Sequence, residues 1–324
     1  PGFDTTGWHR ATVPTTVLAA LVADGTCPDP SYGMDLRRIP GAGYPIGENF
    51  SNLPMPDDSP FRVPWWYRTE FTLPPAADGR ILWLRFGGIN FRFNAWLNGR
   101  RIADAAATAG AWRVHEIDVT GAARPGVNAL AVEVFAPGPD DLAITFVDWS
   151  PLPPDRAMGL FRPVTLAASG PVALRHPHVV ARLNPPAFDR AELTVRVFAR
   201  NATLAPVRGT LIGRVGTAVF TRPVDLGAGE SREIVVSPAD IPGLVVRKPK
   251  LWWPARYGAP TLHDLELEFV VRGAVSDRAS ARFGIREFTA VIDVAGHLVF
   301  SVNGKRMLIR GAGFTPDLML RESE

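Results

Sequence analysis

Four short stretches gather the side chains best equipped for chemistry. Asp148 and Trp149 open "DWSPLPPDRAMG" and set a carboxylate beside an indole, one accepting hydrogen bonds and the other offering a flat apolar face. Asp155 lies later in the same run, in a Pro-Asp-Arg turn, where an Asp more often serves the turn itself. "GENFSNLPMPDDSPF" (47–61) is a long polar loop carrying Asn52, Asp57 and Asp58, and loops on a rigid scaffold are where binding residues concentrate. Asp317 ends "RGAGFTPD" (310–317). The run Trp65, Trp66 and Tyr67 could stack on a ring-shaped ligand, but strand alternation assigns Trp66 to the core and leaves Trp65 open.

Other chemistries find no support. His9, His115, His176, His178, His263 and His297 show no metal-ligand spacing. Cys27 is the sole cysteine, which rules out an internal disulfide framework and a cysteine metal site. No phosphate-cradling glycine loop and no Gly-x-Ser-x-Gly elbow occurs. No metal or cofactor is therefore expected. The net charge is only +3 and the arginines are scattered among acids, so no nucleic-acid partner is expected. No apolar run reaches the length of a membrane-spanning helix, so no membrane partner is expected either.

The elements that must position these residues are nearly all strands. At 324 residues the chain is long for one core, so two domains, or two plus a fragment, are expected. One short helix is indicated in "VPTTVLAALVADG": Thr15 or Thr16 can cap its start, and Gly25 can end it. Strand-like runs then follow at 66–73, 80–86, 90–104, 113–120, 128–137, 142–149 and 160–168, with Asn98-Gly99 as a hairpin turn. That spacing indicates a jelly-roll sandwich over residues 1–169. Six or so further alternating runs over 170–285 have the pattern of an immunoglobulin-like sandwich without the cysteine pair.

The order of pieces resembles glycoside hydrolase family 2. "DVTGAARPGVNALAVEVF" and "GLFRPVTL" are similar to parts of its N-terminal sugar-binding domain. "LWWPARYGAPTLHDLEL" and "FGIREFTA" resemble its immunoglobulin-like domain, with His263 where Tyr is usual, and "VNGKRMLIRGAGF" resembles the run into its catalytic (β/α)8 barrel. "VPTTVLAALVADGTCPDPSYGMDLRRIPG", "PFRVPWWYRTEF" and "VDWSPLPPDRAMGLFR" look like the branch of exo-β-glucosaminidases and endo-β-mannosidases.

The resemblance implies an all-β chain whose residues 286–324 are a linker and the first strand of a truncated barrel. The catalytic carboxylates would lie in that missing barrel, so no catalytic residue is assigned and the chain alone should be inactive. It implies that Asp148 and Trp149 sit on a loop that reaches the barrel mouth and contact the sugar. Asn52 and Asp155 are further substrate-binding candidates. Where many relatives have Asn-x-His, this chain has Gly313 and Thr315, and Asp317 could supply the lost polar contact. The expected partners are a β-linked oligosaccharide, of chitosan or β-mannoside type, and the missing barrel. Trp252 and Trp253 are expected in interdomain packing. The chain opens on Pro1 and reads as processed or as a fragment; a polysaccharide-acting parent favours secretion or the periplasm. The last thirty or so residues should be loosely held, for want of barrel neighbours. The alternatives are a free-standing carbohydrate-binding module and a purely structural β-sandwich.

Overall fold

The computed structural model describes residues 1–43, 54–75, 79–146 and 150–321. Among them the chain divides into two compact units: Pro1–Ala168 together with the segment from Gly313 onward, and Ser169–Ala312.

Alternation builds the first unit. In Gly126–Phe135 every second residue from Asn128 is buried, as a strand with one face on a core demands. It pairs antiparallel with Trp65–Leu73 on one side and Arg92–Leu97 on the other, and Arg100–Ala103 completes the sheet. Asn98 and Gly99 both take positive φ at the hairpin turn, as a type I′ turn needs. A second sheet orders His115–Asp118, Ile81–Phe86 and Val164–Ser169. Phe86 and Phe93 meet between the sheets, fully buried, with ring centroids 4.9 Å apart.

The helix Val17–Ala23 closes this core with Val17, Leu18, Ala20 and Leu21. The Thr16 hydroxyl accepts from Ala19 N at 3.1 Å, and Gly25 follows the end with φ +83°. The sequence reading of 142–149 as a strand is corrected: Leu142–Phe146 has no strand conformation. Ile144 and Phe146 are buried nonetheless, in a loop cluster, so the apolar alternation there reflects loop packing. The alternation of Trp65 and Trp66 holds, but its phase is opposite to that expected. Trp65 packs against the core, while Trp66 is 43% exposed.

The second unit is a sandwich of two four-stranded antiparallel sheets. One contains Val172–Leu183, Arg190–Asn201, Ser231–Val236 and Val245–Arg247; the other contains Ala218–Leu226, Val207–Val215, His263–Val271 and Ala274–Phe283. The sheets bury Leu193, Val197, Leu211, Leu267 and Phe269 between them. A Cβ on Gly213 would lie 2.1 Å from the Phe220 ring, so only glycine lets that ring lie against the neighbouring strand.

After this sandwich, Phe288–Ile292, Leu298–Val302 and Lys305–Met307 form a small antiparallel sheet, and residues 308–316 have no strand. No barrel is present among the described residues. The expected looseness is corrected only in part, because residues 308–315 are all exposed while the small sheet before them is anchored. Asn303 donates to Trp252 O at 3.0 Å and accepts from Glu287 N at 2.9 Å. The Arg286 guanidinium lies 4.3 Å from the Trp252 ring, and the Lys305 ammonium 5.6 Å from Trp253. Trp252 and Trp253 therefore carry cations from their own unit. The segment after Gly313 packs into the first unit, where Met319 is buried in the main core.

Candidate functional site

Chemistry-bearing residues converge at one end of the first sandwich, where the loop leading to Met158 returns to the sheets. Asn52, Asp148 and Trp149 lie outside the described residues; the flanks of the Asp148–Trp149 stretch do not. Phe146 on one side and Leu152 on the other are buried in a cluster with Ala111, Ile144, Ala157 and Phe161. Leu318 and Leu320 pack against the same cluster. The loop stem and the segment that carries Asp317 thus share one apolar footing.

A polar lattice fixes the loop's return. Gly159 pairs with Thr16 and Leu160 with Thr15 in a two-residue ladder, and Val17 N donates to Met158 O at 2.8 Å. Gly159 has φ +151°, and a Cβ there would lie 2.6 Å from Thr16 Cα, so the close approach requires glycine. The Asn90 amide donates to Arg156 O at 2.9 Å and to Ala157 O at 3.0 Å. Arg156 and Ala157 both adopt left-handed backbone, φ +56° and +54°. Each such non-glycine residue costs on the order of 1 kcal/mol, and the Asn90 bonds help offset it.

Asp155 stands in the expected turn, and its side chain is in addition an internal strut rather than an open contact. It is fully buried. One carboxylate oxygen accepts from Leu18 N at 2.7 Å, and the other accepts from Ala157 N at 2.9 Å. The carboxylate therefore ties the loop to the first turn of the helix, 137 residues away. Burial pushes its pKa up to about 7, against these hydrogen bonds, which favour the charged form. Tyr67, partly buried beside it, has its phenol raised well above the usual range by desolvation and by the Asp155 charge.

Asp317 is likewise committed to the protein. Its carboxylate accepts from Met319 N and Arg321 N, each at 3.1 Å, and from the Arg321 guanidinium at 3.0 and 2.8 Å. Arg321 also reaches Asp29 at 2.9 Å and Ser31 at 3.2 Å. Partial burial would raise the Asp317 carboxyl, but the hydrogen bonds and charge of Arg321 outweigh it and hold the group below its ordinary pKa. Asp57 is taken by Arg62. Among the described residues no group of three His, Cys, Asp or Glu could hold a metal, and no helix is long and apolar enough to cross a membrane.

One residue at this end escaped the sequence reading. Trp112 is 63% exposed. Its ring stands edge-on to the buried Phe161 at 5.1 Å, and Arg162 lies 5.5 Å from it. It sits in an irregular turn, where no periodicity could have flagged it. What this end offers chemically is contact: a shaped apolar stem and an open indole.

Residues 58–143 match the family described as glycosyl hydrolase 2 galactose-binding domain-like, and residues 172–286 match glycosyl hydrolases family 2. The chain belongs to glycosyl hydrolase family 2. It is 40% identical over 322 residues to an exo-β-D-glucosaminidase of Streptomyces avermitilis, covering 99% of this chain and 34% of that protein. It is 29% identical over 351 residues to a mannosylglycoprotein endo-β-mannosidase of Lilium longiflorum, covering 98% of this chain and 34% of that one. The crystal structure of the Amycolatopsis orientalis exo-chitosanase superposes with a TM-score of 0.86 at 36% identity, over 99% of this chain and 35% of that one. The chain thus spans about a third of the length of these family 2 relatives.

Proposed function

We propose that this chain is the non-catalytic N-terminal part of a retaining family 2 glycosidase acting on chitosan-type β-glucosaminides, and that it supplies one wall of the substrate pocket. β-Mannosides are the alternative substrate class, because an endo-β-mannosidase is also matched over nearly the whole chain. Exo-β-D-glucosaminidases are matched at 40% and 36% identity over nearly the whole chain, which spans 34% and 29% of their lengths.

The observation that carries the pocket-wall reading is the shared footing of two segments. The residues flanking Asp148 and Trp149 are buried in the cluster that Leu318 and Leu320 cover. A loop rooted there is held beside the segment that carries Asp317 and Arg321. On this reading the Asp148 carboxylate accepts from neighbouring sugar hydroxyls, and the Trp149 indole lies along the C–H face of the pyranose. Asn52 belongs to the same proposed wall. Asp155 serves it from beneath as a positioning residue, and Asp317 through the anchored segment.

The retaining mechanism needs two carboxylates roughly 5 Å apart across the scissile bond, and these belong to the barrel of the parent. The 324-residue chain should therefore leave p-nitrophenyl β-D-glucosaminide intact. In the full-length glycosidase that carries this chain, Asp148→Ala should lower kcat/KM on that substrate by roughly ten- to a hundredfold, the worth of charged hydrogen bonds to the sugar. An unchanged kcat/KM, with the variant folded, overturns the pocket-wall reading.

A further inference from the structure

The outer face of the first sheet carries an aromatic surface that the pocket-wall reading does not use. Trp66, Glu133 and Asn94 are cross-strand neighbours in one row, and Arg68, Ala131 and Trp96 in the next. Because Ala131 is small, the two indoles meet diagonally above it: Trp66 and Trp96 stack with centroids 5.1 Å apart and planes 29° apart. Arg101 lies 5.9 Å from the Trp96 ring, so the stack is closed at one end while Trp66 stays 43% exposed. Beyond it Arg68 lies 5.6 Å from the ring of Phe3, and Phe3 meets Trp8 edge-on at 6.0 Å. Phe3 is 62% exposed and Trp8 42%. Trp66 is thus an exposed ring on this face, and Phe3 and Trp8 add an exposed aromatic pair beside its Arg68.

The charges beside this row are unequal in their partners. Arg68 is paired with Glu70, and Arg101 with Asp104. Glu133 has no cationic partner among the described residues. One of its oxygens accepts from the Asn94 amide at 2.7 Å, and Asn94 is in turn fixed by Arg101 and Ala105 N. An indole face fits the C–H face of an equatorially substituted pyranose, and an oriented carboxylate next to it complements an ammonium group.

We propose that this face is a second carbohydrate-binding surface for β-linked glucosamine oligomers, with Trp66 as the stacking ring and Glu133 as the acceptor for the sugar ammonium. The sugar class is that of the proposed function, but the residues are different, so the two can fail separately. Isothermal titration of the 324-residue chain with a glucosamine hexamer tests it. The expected result is saturable binding, weakened at least about tenfold by Trp66→Ala, the scale of a lost aromatic contact. Glu133→Gln, which keeps the shape, should weaken the glucosamine hexamer roughly fivefold and leave an N-acetylated hexamer unaffected, since the amide has no charge to satisfy. Thermal melts of both variants confirm that they fold, and Glu133→Gln keeps the test decisive if Trp66→Ala does not.

Three results overturn the proposal: no binding by the intact chain, binding indifferent to both variants, or an equal loss for both hexamers with Glu133→Gln. Binding lost in Asp148→Ala but kept in the other two would assign the sugar to the pocket wall. Self-association of the chain that Trp66→Ala abolishes, without sugar binding, would make the face a protein contact instead.

Discussion

The loop returning through Met158 and the segment that follows Gly313 meet in one apolar cluster, yet a carboxylate fastens each in the opposite electrostatic sense. Asp155 is buried and bonded only to neutral donors near it, so its proton is held too tightly. Asp317 is clasped by a guanidinium at the surface, so its proton is released too easily. The difference shows what each fastening is for. A buried carboxylate without a counter-charge fixes geometry at an energetic cost, because burial penalises its charged form. A surface clasp adds little energy but orders a short segment.

The largest test of this contrast is Asp155→Ala. It leaves the N–H groups of Leu18 and Ala157 buried without an acceptor, and should cost about 3 kcal/mol of first-unit stability, read as a shifted midpoint in urea unfolding. A cost no larger than that of an exposed surface change would show that the strut is dispensable.

The next test is pH. Asp155 titrates at about 7 when folded and at about 4 when unfolded. The folded state holds the extra proton between those values, so the stability Asp155 contributes is full below about pH 4 and is lost as pH rises through about 7. The difference in unfolding free energy between the native chain and Asp155→Asn should therefore fall across that window and level off above it. A flat difference would contradict the assigned environment.

Smaller effects belong to the clasp. Arg321→Ala should cost about 1 kcal/mol or less and speed proteolytic cleavage between Gly313 and Arg321. Smallest is its acid response, of opposite sign to that of Asp155. The depressed Asp317 pKa means that its contribution is present above the unfolded value and fades as pH falls through the folded one. Limited proteolysis at descending pH should release this segment before the sandwich unfolds; release with rising pH would reverse the comparison.

Much of the architecture was legible because strands write themselves in period two. Gly126–Phe135 and the Asn98-Gly99 hairpin needed nothing beyond local rules. Ala218–Leu226 holds Pro223 because it is an edge strand, where the missing N–H is tolerated. Trp65 and Trp66 were misphased because both residues are aromatic, so hydrophobicity could not say which faced inward. Asp155 read as a turn residue because Pro-Asp-Arg is a local pattern, whereas its partner Leu18 is distant in sequence. Trp96 and Trp66 lie on different strands, and only the register across Ala131 brings them together.

The first sandwich is not completed by its own stretch of chain. Met319, in its main core, belongs to a segment that follows all of Ser169–Ala312. At about 5–20 residues per second of translation, the ribosome adds that intervening unit in on the order of ten seconds. For that time the nascent first unit must stand with a vacant seat, so its final consolidation is timed by the synthesis of its neighbour.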